Sequence, residues 1–103
     1  MSEQSTGTEL ASLSDGEGGR TRLFEGEPKT VHLSLDAGES IPRHQHPDRD
    51  IAFHLLSGAV DLTLGDETLS LTAGEVVRFD GEQDISPAAT ADSEALLVLA
   101  PSA

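Results

Sequence analysis

From Arg20 onward the sequence consists of short apolar alternations cut by Gly, Pro and Asp, and no segment of it keeps a helical period. That rhythm limits the possible folds more than any other feature. Val31, Leu33 and Leu35 alternate with His32 and Ser34 before Asp36-Ala37-Gly38 turns the chain. Val60, Leu62 and Leu64 alternate with Asp61 and Thr63, and Gly65-Asp66 makes a short hairpin connection to Leu69 and Leu71. Ile51 to Leu56, Val76 to Phe79, Asp84 to Ala88 and Glu94 to Leu99 supply further strands. About eight strands with one wet face each must bury the other face, which two sheets folded on each other or a closed barrel can do. The expectation is an all-β antiparallel barrel or jelly roll. Its core is expected to be Val31, Leu33, Leu35, Ile51, Phe53, Leu55, Val60, Leu62, Leu64, Leu69, Leu71, Leu97 and Leu99.

With 103 residues the chain has room for one core. Residues 1–19 are rich in Ser, Gly and acids, with only Leu10, Ala11 and Leu13 as apolar content, and read as a flexible acidic tail. Thr8 to Leu13 has the length of one helical turn, and residues 20–103 form the single barrel domain.

Charge and cysteine content exclude whole classes of function. Six basic residues stand against nineteen acidic ones, for a net charge of -13, and Lys29 is the single lysine. Such a field repels nucleic acid and anionic membranes, so neither is an expected partner. Lysine depletion with scattered acids is the composition of a salt-loving organism's protein, in which internal salt screens the repulsion. Without cysteine there is no disulfide, thiolate metal site or thiol nucleophile. Ala95 to Ala100 is the longest apolar run, far below the roughly 20 residues that span a bilayer, and no secretory leader is visible. A cytoplasmic location is expected.

Chemistry concentrates in Gly38-Glu-Ser-Ile-Pro-Arg-His44-Gln-His46-Pro47, followed by Leu56-Ser57-Gly58, and in Ala73-Gly74-Glu75-Val76-Val77. These stretches resemble the first and second motifs of the cupins, and the resemblance covers roughly residues 28–101. It implies a cupin-type barrel or jelly roll. It also implies a divalent metal held by both histidines of His-x-His, a Glu shortly after and a His from the second motif. Counting back from Gly58 puts Ile51 at the Glu position, whereas counting forward from His46 puts Asp50 there. In the second motif Asp80 falls at the usual Pro and Ile85 at the usual His.

The histidine pair has a physical reading of its own. Residues i and i+2 of a strand share a face, so His44 and His46 can share a cation such as Fe(II), Mn(II), Ni(II), Cu(II) or Zn(II). Asp50 and Asp84 are the carboxylates that would complete a metal set of His44, His46, Asp50 and Asp84. Each sits one residue before the expected ligand, however, and a one-residue shift turns a strand side chain to the other face unless a bulge intervenes.

The remaining candidates are weaker. His54 and His32 alternate with apolar neighbours and should face outward. Arg78 either faces the cavity, where it would clamp a carboxylate, or faces out and pairs with an acid; the outward reading is favoured. Arg43, next to His44, should point away from it. No nucleophile elbow, phosphate loop or dinucleotide fingerprint is present. The expected function is a small barrel binding a divalent metal, a small-molecule ligand or both, with oxygenase or isomerase chemistry if it is an enzyme. The alternative is a non-catalytic dimeric module with a vestigial site. A homodimer, in which the segment from Arg20 to Phe24 can pair across the interface, is the expected assembly.

Overall fold

The computed structural model describes residues 8–13 and 18–102. Eight strands follow one another: β1 (Gly19–Arg22), β2 (Lys29–Leu35), β3 (Arg49–Ser57), β4 (Ala59–Leu64), β5 (Glu67–Thr72), β6 (Val76–Asp80), β7 (Ile85–Ala89) and β8 (Ser93–Pro101). They form two antiparallel sheets, one ordered β1-β2-β8-β3-β6 and the other β5-β4-β7. Among the described residues no strand ladder joins the sheets, so of the two expected architectures the facing-sheet jelly roll is the one adopted and the closed barrel is not. Residues 8–12 carry no regular structure and Leu13 lies in a 3₁₀ turn, so the helical turn that Thr8 to Leu13 is long enough to make, and that is marginal alone, does not form there. The rest of the expected tail, residues 1–7 and 14–17, lies outside the described residues.

Alternation drives the packing. Val31, Leu33 and Leu35 of β2, Ile51, Phe53 and Leu55 of β3, and Val60, Leu62 and Leu64 of β4 all turn inward and are buried. Phe79 of β6, Ile85 and Ala89 of β7 and Ala95 of β8 join them. Leu69 and Leu97, expected in the core, are only partly buried. Leu97 borders an internal cavity, and Leu69 lies on β5 at the edge of its sheet.

Two backbone features set the register around the site. Between Leu55 and Ser57 the β3–β8 ladder slips by one residue, leaving Leu56 as the extra residue of a bulge. Gly58 follows at φ 88°, and a Cβ there would collide with the Asp92 carbonyl and the Ser93 hydroxyl, so only glycine lets β3 turn into β4 beside β8.

Candidate functional site

Residues 38–46 form an extended arm laid along β7. Gly38 N–H donates to Ala89 O (2.8 Å), Ile41 N–H to Pro87 O (2.9 Å), and His44 and Ile85 exchange both main-chain bonds (3.1 and 2.8 Å). The His46 N–H then donates to Gly81 O at 2.7 Å. A Cβ on Gly81 would overlap the His46 carbonyl, so the missing side chain is what lets the arm close against the β6–β7 turn. Beyond the arm, Asp48 takes φ 66° and the chain crosses to β3 in the other sheet.

The arm brings the two histidines together as expected. Their ring centroids are 4.9 Å apart and the rings stand edge to face at 88°. His44 Nδ1 lies 2.9 Å from the Pro42 carbonyl. That oxygen can only accept, so Nδ1 carries a proton, and in the uncharged tautomer selected by this bond the lone pair sits on Nε2. Burial pushes the His46 pKa down to about 4, helped by the charges of His44, Arg20, Lys29 and Arg49. At neutral pH His46 is therefore uncharged.

Both imidazoles border a cavity of about 460 Å³ between the sheets, within the roughly 300–1,000 Å³ usual for small-molecule sites. Its body is apolar, with Val31, Leu33, Ile51, Phe53, Ile85 and Leu99 among the lining residues. Its polar lining is Arg20, Arg43, His44, Gln45 and His46.

The two aspartates do not join them. Asp50 pairs with Ala100 and Asp80 on the side of the sheet opposite the buried Ile51. The bulge that might have rotated it inward lies at Leu56, after Asp50 and too late to act on it. That extra residue also explains why counting from His46 and counting from Gly58 disagree by one. Asp84 accepts a bond from Gln45 Nε2 (3.0 Å) and stands 3.9 Å from Arg43 Nη1. Ile85, not Asp84, faces the cavity. The positions that the resemblance would fill with a carboxylate and a third imidazole are thus two isoleucines, 1 % and 4 % exposed.

This donor set does not fit the resident metal that the resemblance implies. Among the described residues no three His, Cys, Asp or Glu side chains converge, and cations rather than carboxylates surround the imidazole pair.

His54 faces outward as expected, while His32, also on the outer face, is 5 % exposed, with Nε2 3.1 Å from Glu94 Oε1 and Nδ1 without a partner. Arg78 is exposed opposite Ala52 on the outer face, so it is not a cavity clamp. Arg43 reaches the cavity rim and donates to Gly65 O. Arg20 is the site residue that the sequence reading missed. Its pairing with Leu33 puts it on the inner face, and nothing in Gly-Arg-Thr-Arg reveals that register.

The cupin domain family, described as Cupin_2, matches residues 31–100. The chain is a cupin. Solved cupins share its fold at low identity. KdgF from Halomonas superposes with a TM-score of 0.78 at 17 % identity, covering 92 % of this chain and 96 % of that one. An RmlC-like cupin from Desulfovibrio desulfuricans gives 0.75 at 22 %, over 99 % and 100 % of the two chains. A protein described as a predicted oxalate decarboxylase from Thermotoga maritima gives 0.78 at 18 %, over 90 % and 99 %. A comparison with curated proteins finds no match. At these identities the likeness concerns the fold. The cupin also has no helix, among its described residues, long and apolar enough to cross a membrane.

Proposed function

We propose that this cupin binds a small organic molecule in the cavity between its sheets, with the His44–His46 pair as the polar contacts that orient it. One observation carries the reading: the Pro42 carbonyl holds the His44 Nδ1 proton, so Nε2 is the free ring nitrogen, beside an uncharged His46 at an apolar cavity. Apolar walls supply affinity, and a few fixed polar groups supply orientation. The His44 Nε2 lone pair can also take a proton from a bound hydroxyl or activated C–H, which is the chemistry an isomerase-type reaction would draw on, whereas His46, with its pKa down to about 4, is too weak a base for that role.

Screening a small-molecule library by amide NMR shifts tests the proposal. Binders should move Phe53, Leu97 and Gln45 on the cavity side and leave Val76 and Arg78 on the outer face in place. A binder that moves only outer-face residues, or no binder at millimolar concentration, overturns it.

A second reading keeps the free Nε2 lone pair for a divalent cation, with water or the ligand's own oxygens completing the shell, and with it the oxygenase or isomerase alternative. Titration of metal-free protein with Mn(II), Fe(II), Ni(II) and Zn(II) decides. Micromolar binding lost in both His44→Ala and His46→Ala establishes a metal centre, whereas equal binding in parent and variants removes it. The expected homodimer would use the outer face of the five-stranded sheet, where Val76 is 60 % exposed. Light scattering of the parent and Val76→Glu, with a monomer only in the variant, is the outcome consistent with that assembly.

A further inference from the structure

The cations of this acidic chain are not spread as its acids are. It has six, and five stand around one cavity. Arg20 and Arg43 line it, Arg22 and Lys29 line an adjoining hollow that shares Arg20 and Val31 with it, and the charge of Arg49 reaches His46. Only Arg78 lies on the other face of the sheet.

Pairing separates these five. Arg49 is neutralised by Glu27 through two bonds of 2.6 and 2.9 Å, and Arg43 faces Asp84. Arg22 bonds the Phe24 and Gly26 carbonyls and meets an acid only at longer range, in Glu27. The side chains of Arg20 and Lys29 have no hydrogen-bond or ion-pair partner among the described residues, and Glu27 acts on Lys29 only at longer range. Arg78 on the outer face is likewise without a side-chain partner among the described residues, so it is their facing, and not the lack of a partner by itself, that singles these two out. Nor does protection of the exposed β1 edge explain the choice of sign, because inward acids would guard an edge equally well. Register aims both charges at the cavity side: Arg20 pairs with Leu33 and Lys29 with Leu99, two residues that line the cavity.

We infer that Arg20 and Lys29 read an anionic group on the ligand, and that the ligand class is a small carboxylate with an apolar body. This rests on the small-molecule reading above. The guanidinium fork of Arg20 matches the two oxygens of a carboxylate, with Lys29 as a second, more flexible charge. The apolar body extends toward Ile51, Phe53 and Leu97, and His44 Nε2 is left to accept a bond from any hydroxyl the ligand carries. Attraction from two unpaired cations also offsets the repulsion that a chain of net charge -13 exerts on an approaching anion.

Hexanoate, hexanol and hexylammonium, which share one apolar body and differ in charge, make the test by calorimetry and amide NMR shifts in dilute buffer. Hexanoate should bind about ten-fold more tightly than hexanol, with hexylammonium weakest. Arg20→Gln should bring hexanoate close to hexanol, Lys29→Gln should do so in part, and Arg78→Gln should change nothing. Equal binding of hexanoate and hexanol to the parent overturns the inference and leaves the small-molecule reading intact. A preference for hexanoate that survives both Arg20→Gln and Lys29→Gln overturns it as well. If none of the three binds at millimolar concentration, both readings fall together.

Discussion

The four histidines divide between two sides of the five-stranded sheet, and the two groups differ in every respect except the side chain itself. His32 and His54 lie on the outer face, both paired with Leu96 of β8 from opposite sides. There His32 has a carboxylate partner in Glu94 and is packed almost out of contact with water. His44 and His46 stand on the cavity side, where the charged neighbours are cations and the remaining contacts are apolar. An imidazole beside a carboxylate, with no cavity, serves to hold strands together. An imidazole pair without one, beside an empty apolar space, is left free to engage something that is not protein. Burial alone would have chosen the wrong histidine, since His32 is the most deeply buried of the four.

The largest effect that sharpens this contrast comes from restoring what the cavity lacks. In Ile51→Glu with Ile85→His, a carboxylate and a third imidazole replace side chains that line the cavity with His44 and His46. Nickel affinity by calorimetry should rise about 100-fold or more over the parent, with the far-ultraviolet CD spectrum unchanged. An unchanged affinity in a folded variant would mean that the two Nε2 atoms do not point where the contrast requires.

Next in size, Glu94→Ala removes the only partner of a buried ring, and urea denaturation should show a loss of about 1 kcal/mol. His46→Ala should cost less in stability while abolishing ligand binding. The reverse pattern would exchange the roles of the two groups.

A smaller effect is in the titration of His46. Its folded pKa is depressed to about 4, so the unfolded chain takes up a proton first. The stabilising contribution of its neutral ring is present above about pH 6.5 and is lost as pH falls toward 4. NMR of the ring protons should show no titration of His46 between pH 8 and about 5, and Arg20→Gln should raise the midpoint. A midpoint near 6.5 in the parent would mean that His46 is solvated like a surface residue.

The smallest expected effect is general. Salt shortens the reach of repulsion among the acids from about 10 Å at 0.1 M to about 3 Å at 1 M, so melting temperature should rise with potassium chloride. A flat or falling curve would contradict the salt-adapted reading of the composition. The hexanoate preference should weaken over the same range, because the attraction at Arg20 is screened along with the repulsion elsewhere.

The fold was legible because a period of two is a local property. Val31, Leu33 and Leu35, or Val60, Leu62 and Leu64, announce an inner face without any knowledge of their partners. Phe79 and Ile85 were not in the expected core, since the adjacent Val76 and Val77 hide which face the β6 row takes and Pro87 interrupts the row of β7. His44 and His46 were legible through their spacing and flanking prolines. Asp50 was not resolvable, because its orientation depends on where one bulge falls, and a bulge at Leu56 has no sequence mark that separates it from one before Asp50. Asp84 was not resolvable because it lies in the turn just before β7, where strand alternation does not set its facing. Arg20 was illegible for a stronger reason. Its facing is set by the β1–β2 register, a pairing between segments that no local pattern records.

Strand β1 supplies four residues at the margin of its sheet, touches β2 alone among the strands by ladder, and gives no side chain to the apolar core. The charge that Arg20 supplies is therefore written apart from the core, whereas Lys29 opens the same strand as Val31, Leu33 and Leu35. Substitution at Arg20 can exchange a preference for anions for one for neutral or cationic molecules while every residue that holds the sheets together stays as it was. A lineage carrying this scaffold can change what it binds through drift in one short peripheral strand, without passing through an unfolded intermediate sequence.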